Sequence, residues 1–306
     1  MKTAIMGAGG VGGFYGARMV RGGMDVQFVA RGDHLNALQQ EGLHVFSPTQ
    51  GDFHIPKVQA TDDPTQIGPV DVVWMTVKAY GLAEAAQAIL PLIGPDTLVI
   101  PLLNGVDAAD QIGAVVGQEH MAGGVVYVSA FIDKPGTIRH MVADRMVFGD
   151  LAGADNPRLK ALHDALHGVG IEAELSGDIR QELWEKYCGL AATALVSSAS
   201  RANSGTLVRH PELMALYIQA MEEIRALAQA QGIEVRQEAF DRWRNLPSTW
   251  PPETKPSMLL DLERGRPMEL EALAGTAVRL GQQLGVPTPV FSALYPVLKP
   301  YADGQG

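Results

Sequence analysis

The chain has 306 residues, 46% of them hydrophobic and 19% charged, a composition that excludes intrinsic disorder and leaves room for two hydrophobic cores. Its 34 acidic and 24 basic residues give a formal net charge of -10, which disfavours nucleic acid as a partner. No apolar run reaches the roughly 18 residues of a membrane-spanning helix, and Gly7 lies too close to the N-terminus for a secretory signal. A cytoplasmic protein with a small-molecule ligand is therefore expected.

A glycine-rich run follows the first predicted strand directly. Residues 3–6 are apolar and partly β-branched, and residues 11–20 have the pattern of a helix. The run between them comprises Gly7, Ala8, Gly9, Gly10, Val11 and Gly12. In this position the first glycine permits a tight turn, the second lets a pyrophosphate approach, and the third lets the helix pack on the sheet. The run predicts a Rossmann dinucleotide-binding domain, and the alternative is a glycine-rich turn that serves packing alone.

The residue that ends the second predicted strand, residues 26–30, bears on the choice of dinucleotide. Sites specific for NAD typically place Asp or Glu there, and this chain has Arg31. A guanidinium can hold a 2′-phosphate with two charge-assisted hydrogen bonds. The sequence therefore predicts NADPH as the cofactor. The alternative is a solvated arginine, which similar efficiency with NADH and NADPH would support.

Two further strands are predicted in the first half, where strand and helix patterns alternate as in a parallel sheet. Residues 70–77 are followed by Lys78, and residues 97–103 are followed by Asn104. Because ligands bind beyond the carboxyl ends of parallel strands, Lys78 is a candidate cofactor contact and Asn104 a candidate cofactor or substrate contact. A turn role explains Asn104 equally well, since Asn-Gly is a favoured turn pair.

The pattern changes twice before the second half of the chain. Residues 123–149 contain β-rich segments separated by turns, which are predicted to extend the sheet as antiparallel strands. A helix over 156–168 and a short edge strand over 171–175 follow, and almost everything beyond reads as helix. We therefore predict an α/β fold: a doubly wound, Rossmann-type NADP-binding domain at residues 1–176 and an all-helical substrate and catalytic domain at 177–306.

Two charged residues interrupt apolar helix faces in the second domain. Lys186 shares a face with Leu190, and Glu269 shares a face with Leu273 in a stretch predicted to be helical over 256–284 with a break at Gly265. Such a lysine either reaches solvent, pairs with a nearby carboxylate, or points into a cleft. A glutamate near a helix start is also explained by the helix dipole. Neither residue alone proves an active site.

Five separated motifs resemble those of the ketopantoate reductase family, the 2-dehydropantoate 2-reductases, in order and spacing over nearly the whole chain. They are Gly7 to Gly12, Val77-Lys78-Ala79, Leu103-Asn104-Gly105, Trp184-Glu185-Lys186, and the segment from Ser257 to Glu269. The resemblance implies NADPH-dependent reduction of ketopantoate to pantoate in pantothenate biosynthesis, and it suggests a homodimer.

The resemblance also implies roles for individual residues. Lys186 would be the general acid and Glu269 its active-site partner. Ser257 and Asn104 would contact the substrate carboxylate or the nicotinamide, and Lys78 would contact the cofactor. An ammonium suits this chemistry, because negative charge develops on the carbonyl oxygen when a hydride adds to the ketone carbon.

The sequence departs from the family pattern at three positions where familiar members have asparagine. This chain has Leu190, Ser204 and Thr254 there. Those asparagines resemble partners for the ketopantoate hydroxyl, and an apolar Leu190 cannot replace a hydrogen bond to a buried hydroxyl, a loss of about 1–3 kcal/mol. A reductase of a different 2-oxo acid or of an imine is therefore the alternative, unless Asn203 compensates by a shift in register.

Other classes of protein are less well supported. A non-catalytic dinucleotide sensor would not need Lys186 and Glu269 on apolar faces. No metal site is expected: His163 and His167 are four residues apart but lack the pattern of a zinc motif, and a solvated helix pair explains them. The single cysteine, Cys188, is interpreted as a small buried hydrophobic residue.

Overall fold

The structure is a computed structural model that describes residues 1–304, and these divide into two compact units. The first unit comprises Met1–Leu103 and Ala108–Ile179, and the second comprises Asn104–Asp107 together with the described residues from Arg180 onward. Asn104–Asp107 falls within the range predicted for the first domain, yet it belongs to the second unit. The reason is local, since the Asp107 carboxylate accepts a hydrogen bond from Thr276 in the helical part of the chain.

The first unit contains both strands and helices, which alternate along only part of the chain. The strands are β1 (Lys2–Met6), β2 (Asp25–Val29), β3 (Leu43–Phe46), β4 (Phe53–Ile55), β5 (Gln59–Thr61), β6 (Val72–Met75), β7 (Leu98–Pro101), β8 (Gly123–Lys134), β9 (Thr137–Gly149) and β10 (Ala173–Leu175). The helices are α1 (Gly10–Arg21), α2 (Gly32–Glu41), α3 (Leu82–Ala88), α4 (Ala108–Val116) and α5 (Pro157–Gly168). The predicted α/β class is therefore confirmed.

The central sheet of this unit has five parallel strands in the order β5-β2-β1-β6-β7. β1 pairs with β2 on one side and with β6 on the other, and every residue from Thr3 to Met6 is buried. One face of the sheet packs on α1 and the other on α3 and α4, so the sheet is covered on both faces as in a doubly wound fold. The strands predicted around residues 3–6, 26–30, 70–77 and 97–103 all belong to this sheet.

The β-rich residues 123–149 form part of a second sheet, so the prediction that they extend the first sheet is wrong. β8 and β9 make a long antiparallel hairpin, and β9 lies between β10 and β3 in the order β10-β9-β3-β4. The hairpin packs on α1, where a Cβ atom at Gly10 would overlap the carbonyl of Ala130. α1 is thus enclosed between two sheets, which explains why eight of its twelve residues are buried.

The second unit is helical in its described part, as predicted. Its helices are α6 (Ile179–Ser200, from Arg180 onward), α7 (Ser204–Arg209), α8 (Pro211–Ala230), α9 (Gln237–Thr249), α10 (Ser257–Glu263), α11 (Thr276–Leu284) and α12 (Pro289–Leu298), with a π-helical turn at Glu271–Gly275 before α11. The predicted break at Gly265 is present, because this residue has φ +61° and α10 ends just before it. Within residues 1–304, no helix is both long enough and apolar enough to cross a membrane.

Candidate active site

The glycine run forms a tight turn between β1 and α1 whose geometry suits a dinucleotide. Gly7 has φ +100°, a conformation that side chains disfavour. A Cβ atom at Gly12 would overlap the carbonyl oxygen of Gly7 and the hydroxyl of Thr76, so only glycine allows the helix to pack this closely. A Cβ atom at Gly9 would meet no heavy atom within 4 Å. Packing therefore explains Gly12, whereas Gly9 borders open space where a pyrophosphate can approach.

The N-terminus of α1 provides the electrostatic complement to a phosphate. The first backbone N–H groups of a helix have no acceptor within it, and the first turn of α1 contains no acidic residue. The N–H groups of Gly7 and Ala8 instead donate to the carbonyl of Val29, at 3.1 and 3.2 Å, and hold the turn against β2. The N–H groups from Gly9 to Gly12 are thus the ones suited to a pyrophosphate. Gly10 is needed for packing as well, because a Cβ atom there would overlap the carbonyl of Ala130.

Arg31 lies at the end of β2, where the sequence predicts a contact to the adenosine ribose. It is the N-cap residue of α2, and its Nη2 atom lies 2.8 Å from Oε1 of Glu84. Both side chains are more than half exposed. The positive charge is therefore in the predicted position, but the sequence did not reveal its carboxylate partner. Lys78 follows β6, is exposed, and immediately precedes the short 3-10 helix at Ala79–Gly81.

Three polar side chains from distant parts of the sequence meet in the second unit. Lys186 Nζ donates to Asn104 Oδ1 at 3.1 Å, and Asn104 Nδ2 donates to Glu269 Oε2 at 3.3 Å. Lys186 comes from α6, Asn104 from the loop after β7, and Glu269 from the residues just before the π-helical turn. We call these residues the Lys–Asn–Glu triad. The structure thus brings together three residues singled out from sequence, with the Asn104 amide as the link between the two charged groups.

The environment of the triad favours an easily released proton. Burial lowers the pKa of Lys186 to about 8, and the negative charge of Glu269 opposes this shift. Glu269 itself is only 6% exposed. Lys186 is therefore mainly protonated at pH 7, but it holds its proton less tightly than an ordinary lysine. The sequence pattern indicated an apolar surrounding but could not indicate the extent of this shift.

Two of the three residues at positions where the sequence departs from the family pattern form hydrogen bonds within the protein. The Ser204 hydroxyl donates to the carbonyl of Pro247, and the Ser204 N–H donates to the carbonyl of Thr254 at 2.9 Å. Asn203 Oδ1 accepts from the N–H of Thr206 at 2.9 Å and caps α7. The Ser204 hydroxyl hydrogen and the Asn203 carbonyl oxygen are thus already used within the protein.

Leu190 occupies the third position at which the sequence departs from the family pattern, and Ser257 is a predicted substrate contact. Leu190 is half-buried and lies one turn after Lys186 on α6, so its apolar side chain is on the same side of the helix. Ser257 is the first residue of α10 and is exposed. Its hydroxyl is not hydrogen-bonded to the triad among residues 1–304, and its predicted substrate contact therefore stays a prediction.

An ion pair between a buried glutamate and an exposed arginine lies beside Lys186, and the sequence pattern does not predict it. Glu185 is fully buried, and it accepts from Arg236 Nε at 2.6 Å and from Arg236 Nη2 at 2.7 Å. Arg236 also donates its backbone N–H to Glu185 and immediately precedes α9, so the pair joins α6 to α9. The motif Trp184-Glu185-Lys186 was the only sequence signal for this pair, because the partner lies 51 residues away.

Comparisons with known proteins agree over the full length of the chain. The family models described as "Ketopantoate reductase PanE/ApbA" and "Ketopantoate reductase PanE/ApbA C terminal" match residues 3–153 and 178–302. A 2-dehydropantoate 2-reductase of Mesorhizobium japonicum is 31% identical, with 100% of this chain and 99% of the relative covered. An uncharacterized oxidoreductase of Bacillus subtilis, YkpB, is 29% identical, with 98% of this chain and 99% of the relative covered.

Solved structures give the same result for the fold. A PanE/ApbA family ketopantoate reductase from Ralstonia eutropha has a TM-score of 0.90 at 32% identity, with 99% of this chain and 98% of that chain covered. A complex of D-mandelate dehydrogenase with NADH has a TM-score of 0.86 at 25% identity, with 98% of both chains covered. Since the two family models together span most of the sequence, the chain belongs to the ketopantoate reductase family.

Proposed function

We propose that this oxidoreductase uses NADPH to reduce a 2-oxo acid, with ketopantoate as substrate and pantoate, an intermediate of pantothenate biosynthesis, as product. The observation that carries the proposal is the Lys–Asn–Glu triad, in which a proton donor with a lowered pKa is held by an amide and a carboxylate. Relatives named 2-dehydropantoate 2-reductase support the choice of substrate. A cytoplasmic location and a homodimer stay predictions, of which sedimentation analysis tests the second.

The residues of the first unit fit a nicotinamide dinucleotide. The N–H groups from Gly9 to Gly12 would bind the pyrophosphate, Arg31 a 2′-phosphate, and Lys78 a further part of the cofactor. When bound in reduced form, this cofactor supplies the hydride that adds to the ketone carbon. The nicotinamide half would be met by Asn104, whose amide is already oriented by Glu269.

Lys186 stabilises and then protonates the carbonyl oxygen of the substrate. The ammonium donates a hydrogen bond to the oxygen as negative charge develops on it, and the proton passes from Nζ to oxygen to give the alcohol. A pKa of about 8 makes Lys186 a better acid than an ordinary lysine while leaving it mainly protonated at pH 7. Lys186 then regains a proton from solvent. Asn104 directs Nζ, and Glu269 keeps Asn104 in the orientation that presents its oxygen to Lys186.

The choice of NADPH depends on Arg31. A guanidinium at the end of β2 supports a 2′-phosphate, but its pairing with Glu84 places a competing carboxylate beside it. The NADH bound to D-mandelate dehydrogenase shows that a relative with this fold takes the other dinucleotide. Comparison of kcat/KM for NADPH and NADH decides between them, and a ratio near one would contradict the assignment of Arg31.

A second candidate function is the reduction of a different 2-oxo acid. It is favoured by the residues at the positions where this chain lacks the asparagines of the family pattern. Leu190 offers no hydrogen bond, and the Ser204 hydroxyl and the Asn203 oxygen are used within the protein. A substrate hydroxyl would therefore find fewer partners than in family members with asparagines at these positions. D-mandelate dehydrogenase indicates that the scaffold also serves substrates other than ketopantoate. An imine on the same scaffold is a further alternative.

NADPH oxidation by the purified protein tests the proposal. Ketopantoate is compared with 2-oxoisovalerate, which lacks its hydroxymethyl group, and with phenylglyoxylate and an imine. Efficient turnover of ketopantoate supports the first candidate, and turnover of an unhydroxylated acid alone supports the second. If dinucleotide binds but Lys186→Ala leaves the turnover of every accepted substrate unchanged, the proposed proton donor is wrong, and binding without any turnover would favour a dinucleotide sensor.

A further inference from the structure

The π-helical turn at Glu271–Gly275 carries a side-chain hydroxyl on one of its backbone carbonyls. Its widened hydrogen bond joins the N–H of Thr276 to the carbonyl of Glu271, five residues earlier. The buried hydroxyl of Tyr187 donates to the carbonyl of Leu273, inside the turn, at 2.7 Å. A regular helix would join the Leu273 carbonyl to the Ala277 N–H directly. The Tyr187 hydroxyl therefore competes for a carbonyl of the helical ladder, and a side chain inserted into that ladder is a known cause of local helix distortion.

Tyr187 suits this position because it keeps its proton. Burial raises the pKa of Tyr187, with the charge of Asp107 acting in the same direction and that of Arg279 against it. The hydroxyl therefore remains a donor to the Leu273 carbonyl over the whole working pH range. A phenylalanine would fill nearly the same volume but could not supply this hydrogen bond.

The turn is attached to all three segments that carry the triad. Tyr187 follows Lys186 directly on α6, so its anchored hydroxyl fixes this part of the helix. Glu269 lies at the entry to the turn, where its carbonyl accepts from the Leu273 N–H at 3.1 Å. The loop that carries Asn104 is anchored three residues later, where Asp107 Oδ2 accepts from the Thr276 hydroxyl at 3.0 Å.

A second hydroxyl ties the loop to the turn itself. The Thr276 hydroxyl lies 3.2 Å from the carbonyl of Glu271 as well as 3.0 Å from Asp107, and Arg279 Nη2 lies 2.8 Å from Thr276 and 3.4 Å from Asp107. The residues that anchor Lys186 and Asn104 thus bind within a few residues of each other on one short segment. Glu269 is joined to that segment through the backbone.

We propose that Tyr187 and Thr276 are positioning residues, which act through the π-helical turn to hold Lys186, Asn104 and Glu269 in register. The proposal rests on the proposed function in one respect, namely that Lys186 is the proton donor. Neither hydroxyl needs to contact substrate or cofactor. Loss of the Tyr187 hydroxyl lets the turn relax toward a regular helix and changes the surroundings of Lys186.

Tyr187→Phe with Tyr217→Phe as its matched control tests the role of Tyr187. Tyr217 is also fully buried in the second unit, but it lies on α8 and its hydroxyl donates to the carbonyl of Trp243 on α9 at 2.7 Å, not to the π-helical turn. Both variants lose one buried hydroxyl on a backbone carbonyl. We expect Tyr187→Phe to lower kcat by ~10-fold or more, because small displacements of catalytic groups are costly, and Tyr217→Phe to leave kcat within about twofold.

Two variants of Thr276 test the proposal independently, and they remain informative even if Tyr187→Phe fails to fold. Thr276→Ser keeps the hydroxyl, and Thr276→Val keeps the shape without it. We expect the serine variant to retain kcat and the valine variant to lose several-fold, with KM for the cofactor unchanged in both. Equal kcat in the two Thr276 variants would overturn the role assigned to this hydroxyl.

The titration of Lys186 gives a readout that does not depend on turnover. Competitive acylation across a pH series, quantified by mass spectrometry, measures the pKa of Lys186, which burial lowers and Glu269 raises. Burial is the larger of these two influences on the pKa of Lys186, so any loss of burial raises that pKa. We therefore expect the pKa of Lys186 to rise in Tyr187→Phe, where the turn relaxes, and to stay unchanged in Tyr217→Phe. An unchanged pKa and pH profile in Tyr187→Phe, with a loss of stability equal to that of Tyr217→Phe, would reduce Tyr187 to a structural role. Failure of the proposed function would appear separately, as turnover that survives Lys186→Ala.

Discussion

Lys186 is half-buried in surroundings that disfavour its charge, and Asn104 and Glu269 compensate for this in different ways. Asn104 accepts a hydrogen bond from the ammonium, and Glu269 favours the charged form through its negative charge. The lysine on an apolar helix face and the glutamate on another were both visible in the sequence. Their proximity was not, because 82 residues separate Lys186 from Asn104 and 165 separate Asn104 from Glu269.

Removal of the ammonium should affect turnover far more than cofactor binding. Lys186→Ala is expected to lower kcat by about 10²- to 10⁴-fold, the usual contribution of a general acid, since alanine supplies no proton in place of Nζ. The dissociation constant for NADPH, measured by fluorescence titration, should change by less than about threefold. Lys186→Arg serves as a control that keeps the charge but cannot release a proton readily. A large loss of cofactor affinity in Lys186→Ala would place this residue in the cofactor site instead.

The pH dependence of the reaction follows from the lowered pKa of Lys186. A general acid must be protonated, so kcat/KM should fall as pH rises through about 8. Asn104→Asp would place a second carboxylate beside Nζ, stabilise the charged form and move this fall to higher pH, even if overall activity decreases. Asn104→Ala is the uncharged control. A profile that stays flat from pH 7 to 10 in the wild type would contradict the assignment.

Arg31 and Glu84 allow the dinucleotide preference to be changed in both directions. Glu84→Gln removes a competitor for the guanidinium, so kcat/KM for NADPH should rise while that for NADH stays constant. Exposed ion pairs contribute up to about 1 kcal/mol, which limits the gain to about fivefold. Arg31→Ala should lower kcat/KM for NADPH selectively. An equal effect of both variants on the two dinucleotides would mean that Arg31 does not bind the 2′-phosphate.

At the scale of elements, local pattern predicted strands and helices well but not their long-range partners. The β-rich segments of residues 123–149 were correctly identified, yet β9 pairs with β3 through residues about 90 positions apart, such as Val45 and Ile138. Alternating patterns carry no information on which strand lies alongside. The π-helical turn was invisible for a similar reason, because it depends on Tyr187, which lies 86 residues from Leu273.

The start of α12 illustrates how a distant side chain completes an element. Glu223 from α8 is buried and accepts from the N–H groups of Val290 and Phe291 at 2.8 and 3.2 Å. Burial raises the pKa of Glu223, while these two donors favour the charged form. Glu223→Ala should lower the free energy of unfolding by about 1–3 kcal/mol, since two buried donors lose their acceptor. Glu223→Gln should lose less, because one amide oxygen remains, and chemical denaturation measures both.

At the scale of the whole molecule, the family explains the reaction class, while the proposed alternative substrate depends on a few positions at which this chain differs from the family pattern. The glycine run, the lysine and the glutamate could be found in the sequence because each breaks a local expectation of strand or helix composition. The hydrogen bond from the Ser204 hydroxyl to the Pro247 carbonyl could not be found in the sequence, because it depends on how α7 packs beside α9. The residues proposed to take part in catalysis are thus easier to find in a sequence than those proposed to affect substrate choice.

Leu190 is the position at which substrate choice can be tested most directly. Leu190→Asn places an amide one turn from Lys186, where it can bond to a substrate hydroxyl. We expect kcat/KM for ketopantoate to rise relative to that for 2-oxoisovalerate by about 5- to 100-fold, equivalent to the 1–3 kcal/mol of a hydrogen bond to a buried polar group. Leu190→Met, similar in volume and still apolar, should leave the ratio unchanged. If the wild type already prefers ketopantoate and Leu190→Asn does not alter the ratio, the hydroxyl is recognised elsewhere, and Leu190 does not determine the specificity of this chain.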